Sequence, residues 1–276
     1  MLSVNTNTGA MIALQYLNQT GVELQDAQSH INTGLKVASA KDNGATFAIA
    51  QNMRGNVVGY QAVADSLNRG VSTIDVAISA GQSISDLLNE LKGKALAAAD
   101  GSLDTTSRNA LNADFTALRD QITTIVQNAS FNGTNMVDGT VATYQALASA
   151  DGSRRITVAS QMLSLSGSIV SIATTSTIST QVKASAMIAT INASIQNVNA
   201  ALAKLASGVK KFEIQSDFVV KLVDSLKTGI GNLVDADMAV ESARLQSLQV
   251  RQQLGVQALS IANTQPQIIL SLFRGQ

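Results

Sequence analysis

Apolar positions along the chain recur in alternating steps of three and four. From Tyr60 the seam runs through Val63, Leu67, Gly70, Ile74, Ala77, Gly81, Ile84, Leu88, Leu91 and Ala95. A repeat of about 3.5 residues puts all of these on one stripe of a helix that supercoils with its neighbours. At roughly 1.5 Å per residue this stripe is about 50 Å long. Asp100-Gly101 ends it, and Asp104 or Thr105 can cap a second helix. That second helix carries Leu111, Phe115, Leu118, Ile122, Ile125 and Ala129. The short connection DGSLDTTS makes the two antiparallel neighbours. A third seam runs from Ile188, Ile191, Ile195, Val198, Leu202, Leu205, Val209 and Phe212 through Ser216, Val219, Val223, Leu226, Ile230 and Leu233 without losing phase. The expected fold is mainly α, an elongated antiparallel coiled-coil helical bundle.

Residues 131–180 break the pattern. FNGTNMVDGT is rich in turn formers, and TYQALAS, ADGS and RRITVAS read as a β-hairpin over 141–160 with Asp151-Gly152 at its tip. Serines and threonines then crowd 164–180, which reads as a surface loop or weak strand. The same composition makes Thr174, Thr175, Ser176, Thr177, Ser179 and Thr180 candidates for O-linked sugars.

The two ends form a separate system. The first charge is Glu23, and residues 252–273 are also uncharged. One seam passes through Ala10, Leu14, Leu17, Leu24, Ile31 and Leu35. Near the other end there are two, one of Leu245, Leu248, Leu259, Ala262, Ile269 and Phe273, the other of Val250, Leu254, Ile261, Ile268 and Leu272. Pairing the two ends covers only one of the latter seams, and a helix with a wet apolar face gains too little from propensity to stay ordered alone. Many copies stacked around an axis would cover the other, and head-to-tail contacts that do not close generate a helical filament. A ring of like charges at its centre would be costly, so neutral ends suit it. The bundle's phase is lost across DADMAVE, 235–241, which predicts a joint. The expected domains are therefore 1–43 with 234–276, and 44–233 including the hairpin.

Composition narrows the function. Aromatics are 3% of the chain, there is no Trp and one Pro, and charged residues make up 14% with zero net charge. Thin helical packing suits this better than the interior of a compact enzyme. The neutral balance argues against nucleic acid and against anionic membranes. No cysteine is present, which excludes disulfides, thiolate metal sites and Cys nucleophiles. The first residues lack a basic n-region and an apolar h-region, so export without a cleaved signal peptide is expected. The single His30 has no second His or HExxH partner. Asp235, Asp237 and Glu241 lack the glycine and ligand series of a calcium loop, and Gly229-Ile230-Gly231 lacks the third glycine of a dinucleotide site. No catalytic residue, metal or cofactor is expected.

Three motifs then become specific. INTGLKVASAKDNGATFAIAQNMRG (31–55) closely resembles the N-terminal signature of bacterial flagellins. NLVDADMAVESARLQSLQVRQQLGVQALSIANTQPQIILSLFR (232–274) resembles the family's C-terminal signature, and FNGTNMVDG (131–139) its motif after the second core helix. The resemblance implies a filament subunit whose inner layer pairs the N- and C-terminal helices, with Leu14, Leu17, Leu24, Ile31, Leu248, Leu254, Leu259, Ile261, Ile268 and Phe273 in the assembly core. It implies a connecting spoke at Ser39, Lys41, Asp42 and Asn43. As partners it implies further copies, other flagellins in a mixed filament, an export chaperone, a filament cap and hook-junction proteins, with the polymer outside the cell. Only about 50 residues separate the bundle halves, so large outer domains are expected to be missing, as in alphaproteobacterial flagellins. Where receptor-stimulating flagellins carry an Arg-rich stretch, this chain has NELKGK; Glu90, Gly93 and Lys94 depart from that pattern.

Overall fold

The computed structural model describes residues 6–274, with side chains through 264. Ile268, Phe273 and the other seam residues beyond 264 thus lie outside the described side chains. In chain order the elements are α1 (Thr8–Thr33), α2 (Gly44–Ala98), α3 (Thr105–Asn128), β1 (Ser130–Phe131), β2 (Thr134–Asn135), β3 (Thr143–Leu147), β4 (Arg155–Ala159), α4 (Gln181–Val234) and α5 (Met238–Arg274). The chain divides into two compact units, 1–55 with 225–276 and, separately, 56–224.

In the unit 56–224, every position of the α2 seam from Val63 to Ala95 is buried, Gly70 and Gly81 included, and Tyr60 is half-buried. Every position of the α3 seam and of the α4 seam from Ile188 to Val223 is likewise buried or half-buried. Gly70 faces the Phe212 ring and Gly81 faces Leu202, so α2 and α4 run antiparallel here. A Cβ at either glycine would stand 2.7 Å from its neighbour, which explains why the heptad is interrupted by residues without a side chain. α2 stops at Ala98, two residues earlier than the Asp-Gly signal suggests. Arg108 closes this turn, donating from Nε to the Ala98 carbonyl at 2.9 Å and from Nη2 to those of Asp100 and Leu103. Asp104 caps α3 by accepting the Ser107 amide. Orphan carbonyls and amides at both helix ends are thereby satisfied.

β1 and β2 pair through Asn132 and Gly133, both at positive φ (48° and 78°), as a tight hairpin turn requires. Buried Asn135 then donates to the Val126 carbonyl at 2.7 Å and accepts the Val137 amide at 2.8 Å. β3 and β4 pair antiparallel with Thr143 opposite Ala159 and Leu147 opposite Arg155, inside the expected 141–160 hairpin. Its inner face buries Ala146 and Val158, its Leu147 amide donates to Ser66 Oγ at 3.1 Å, and Tyr144 stacks at a tilt on Phe212, 6.2 Å between centroids. At the tip, Ser149 and Ser153 hydroxyls donate to Asp151, which holds its carboxyl down at about 2.

The segment after the hairpin differs from the surface loop expected of its Ser/Thr content. Leu163, Leu165, Val170, Ile172 and Ile178 are all buried, with a parallel bridge between Leu165 and Val170. Buried Arg119 donates to the Ser176 carbonyl at 2.7 Å, and the Ile178 amide donates to Asn112 Oδ1 at 2.7 Å. The hydroxyl-bearing residues between these apolar ones are exposed or half-buried, so this irregular segment closes the core.

In the unit 1–55 with 225–276, α1 and α5 pack together. The joint expected over 235–241 is shorter: α4 ends at Val234 and α5 begins at Met238. Leu35 bridges Asp235, the Lys36 amide donates to the Val234 carbonyl at 2.8 Å, and the Ala236 amide donates to Gly34 at 2.9 Å. Beneath this bridge Val37, Ala50 and Val234 form a small core with Leu35, Phe47, Ile230 and Leu233 around it. No helix among the described residues is long and apolar enough to cross a membrane.

Candidate functional site

The terminal pair is built from caps inward. Asn7 caps α1 by accepting the Ala10 amide at 3.0 Å, and its amide nitrogen donates to the Ala262 carbonyl at 2.8 Å, tying the start of α1 to α5. Gly34 ends α1 in the left-handed region (φ 73°), its N–H donating to the His30 carbonyl. Leu17 lies against Gly255, where a Cβ would stand 3.2 Å from Leu17 Cδ1. His30 Nδ1 lies 3.2 Å from Glu241 Oε1, so the single histidine is a cross-helix contact. Among the described residues no group of three metal-ligating side chains converges.

Burial separates the two seams of α5. Leu248 is buried, and Leu245, Leu259 and Ala262 are half-buried. Val250, Leu254 and Ile261 are 54%, 58% and 62% exposed. On α1, Leu17, Leu24 and Ile31 are half-buried against the pair, while Leu14 is exposed. The structure adds Met11, Ile12, Tyr16 and Val22 on α1, and Met238, Val240 and Val256 on α5, all large and exposed. A second apolar stripe on α1 could have signalled them, but Gln15 and Gln19 interrupt it. The described part of this helix pair therefore presents a long apolar surface, and residues 6–22 and 252–264 of it carry no charge. Such a surface is what a polymer contact needs and what an isolated soluble helix avoids.

The segment following α1 is pinned by one carboxylate. The Ala38 and Ser39 amides donate to Asp42 Oδ2 at 2.9 and 2.8 Å, and Ser39 Oγ joins them at 3.3 Å. The Ser39 amide bond is the largest influence holding the Asp42 carboxyl below its usual range. The Lys41 amide donates to Ser39 Oγ, and Asn43 caps α2 by accepting the Thr46 amide at 3.0 Å. The four residues Ser39, Lys41, Asp42 and Asn43 thus form one local hydrogen-bonded turn.

On α2, Glu90 and Gly93 are exposed, and Lys94 donates to Asp114 Oδ2 of α3 at 2.6 Å. A Cβ at Gly93 would meet nothing within 4 Å. Of the hydroxyl candidates, Thr174, Thr175 and Thr180 are exposed, and Ser176, Thr177 and Ser179 are half-buried. The Ser176 hydroxyl already accepts the Ala173 amide, and Thr180 caps α4 by accepting the Lys183 amide.

Comparison with known proteins addresses the whole chain. Residues 4–142 match the family model described as the bacterial flagellin N-terminal helical region, and 188–273 match the flagellin C-terminal helical region. The chain is 54% identical over 272 residues to flagellin FljK of Caulobacter vibrioides, covering 99% of this chain and 98% of that one. It is 34% identical over 284 residues to a flagellin of Brucella melitensis, covering all of both chains. Among solved structures it is similar to a Vibrio parahaemolyticus chain described as a flagellar hook-associated protein, with TM-score 0.56, 15% identity, 70% of this chain and 100% of that one. That last likeness speaks to the fold alone.

Proposed function

The chain belongs to the bacterial flagellin family, and on that footing we propose that the exposed faces of its terminal helices are the surface through which it polymerises. It is a structural subunit of the flagellar filament, outside the cell, and not an enzyme. The filament is a polymer of this chain, alone or mixed with related flagellins. The observation that carries the reading is the division of α5 into a seam covered by α1 and a seam of Val250, Leu254 and Ile261 left in water. Burying those three and Met11, Ile12, Tyr16 and Val22 removes several large side chains from water, each worth about 1.5–3 kcal/mol when fully covered. Residues 1–43 and 234–276 would then form the inner layer of the filament and 44–233 the layer around it, with Ser39–Asn43 as the connecting spoke.

The family further implies export without a cleaved signal peptide, a chaperone on the C-terminal helix, growth beneath a cap, and junction proteins at the hook. Thr174 and Thr175 are the best placed of the candidate hydroxyls for O-linked sugars, because they are exposed and their hydroxyls are not committed to helix caps. Electron microscopy of purified chain added to short filament seeds, beside a version lacking 252–276, tests the reading. Long filaments from the intact chain alone support it; a chain that caps seeds without elongating them points to a junction protein; a chain that ignores seeds contradicts terminal assembly.

A further inference from the structure

Among the described residues, Met136 is buried, Met53 and Met187 are half-buried, and Met11, Met162 and Met238 are exposed. Met11 and Met238 belong to helices, whereas Met162 sits where two irregular segments of the unit 56–224 meet. Its side chain is 39% exposed, yet its thioether is laid across two glycines. A Cβ at Gly139 would stand 2.9 Å from Met162 Sδ, and one at Gly167 would stand 3.1 Å from Met162 Cε. Gly139, at positive φ (87°), lies in the bend that follows β2. The backbone around Met162 is bonded to the same bend. The Gln161 amide donates to the Met136 carbonyl at 2.9 Å, the Leu163 amide to the Val137 carbonyl at 2.8 Å, and Ser164 Oγ to the Asp138 carbonyl at 3.3 Å. An unbranched, polarisable side chain suits a narrow gap between glycines, but it is also an apolar side chain that oxidants convert into a polar one.

We propose that Met162 is an oxidation-sensitive site, at which hydrogen peroxide converts the thioether to the sulfoxide and loosens residues 161–164 from the bend 136–139. A lone pair on Sδ attacks one peroxide oxygen and the O–O bond breaks. The other oxygen leaves as hydroxide and takes up the proton of the first, giving sulfoxide and water. Sulfur is oxidised by two electrons and the peroxide is reduced by two. The sulfoxide carries a strong dipole, which is better solvated by water than by a gap lined with glycines. Met162 then turns outward, Gly139 and Gly167 lose their cover, and water reaches the three hydrogen bonds that join the segments. Two-electron reduction by a methionine sulfoxide reductase reverses the step. The site acts within a single chain, so it stands or falls independently of the filament reading.

The test treats the full chain with hydrogen peroxide at a dose that leaves buried Met136 unmodified. Mass spectrometry then reads the oxygen gained at each methionine and the amide exchange of peptides covering 134–140 and 160–168. Met162 is expected to gain one oxygen, and exchange at the Gln161 and Leu163 amides to rise by about tenfold or more, as when a local opening becomes easier. Met162→Leu keeps the volume and has no sulfur, so it is expected to exchange at the untreated parent's rate with or without peroxide. A Met11→Leu, Met238→Leu double variant is changed only at exposed positions. It is expected to show the full rise after peroxide, and it carries the test by itself if Met162→Leu does not fold. An unmodified Met162, or a modified one with unchanged exchange, overturns the proposal. So does a rise that persists in Met162→Leu or one that is lost in the double variant.

Discussion

His30 Nδ1 on α1 stands 3.2 Å from Glu241 Oε1 on α5, joining two side chains that lie 211 positions apart in the sequence. Both are largely withdrawn from solvent, and Arg244 approaches the same carboxylate oxygen at 4.0 Å. A hydrogen bond to a partly buried charged group contributes about 1.5–3 kcal/mol. Replacing His30 with Ala should therefore speed amide exchange in the second half of α1 and the first turns of α5 by about tenfold or more. Hydrogen-exchange mass spectrometry of the full chain reads this directly, and unchanged protection in both segments contradicts the assignment.

Asp42 provides a pH handle on the segment between α1 and α2. Its folded carboxyl lies below the ordinary value of 3.8, chiefly through the Ser39 amide it accepts. A depressed carboxyl stabilises the turn above that ordinary value, and the contribution is lost as pH falls through it toward the folded value. Protection of the Ala38 and Ser39 amides should fall below about pH 4, and Asp42→Asn should flatten that dependence.

Two glycines on long helices should respond oppositely to alanine. At Gly208 a Cβ would stand 2.5 Å from Val158 Cγ1 of the hairpin, and a β-branched neighbour yields little. Gly208→Ala should cost about 1–3 kcal/mol of overpacking, outweighing the helix-propensity gain of about 1 kcal/mol. At Gly93 a Cβ meets nothing within 4 Å, so Gly93→Ala should keep that gain. Thermal unfolding followed by circular dichroism should lower the midpoint for the first and raise it for the second.

Glu90 is exposed on α2 and Lys94 is engaged with Asp114; the family resemblance implies that Glu90 stands where receptor-stimulating flagellins carry arginine. Stimulation of innate-receptor reporter cells by this chain should be weak or absent. Stimulation as potent as that of an Arg-bearing flagellin is the contrary result.

The bundle was legible because its signal is redundant: Val63, Leu67, Ile74, Ile84, Leu88 and Leu91 repeat one period over eight turns, and all are fully buried. Hairpin β3–β4 was legible from its turn and its two short β-rich runs. The segment 161–180 was not, because Leu163, Leu165, Val170, Ile172 and Ile178 are spaced irregularly and packed by tertiary contacts with no helix or strand period behind them. The second stripe of α1 was hidden for a related reason. Met11, Ile12 and Tyr16 stay more than half exposed within one chain and lie off the stripe that packs α1 on α5. The turn at Asp42 was visible as a motif, but its hydrogen bonds run from backbone amides to side-chain oxygens and leave no periodic trace.

The most direct test asks whether the wet seam of α5 is the polymer contact. Leu254→Asp and Ile261→Asp change residues that are 58% and 62% exposed in the single chain, so each variant should keep the parent's circular dichroism. Seeded elongation is then measured by electron microscopy over a range of concentrations. Both variants are expected to fail to elongate seeds at concentrations where the parent grows long filaments. Growth of either variant at the parent's rate would contradict this expectation.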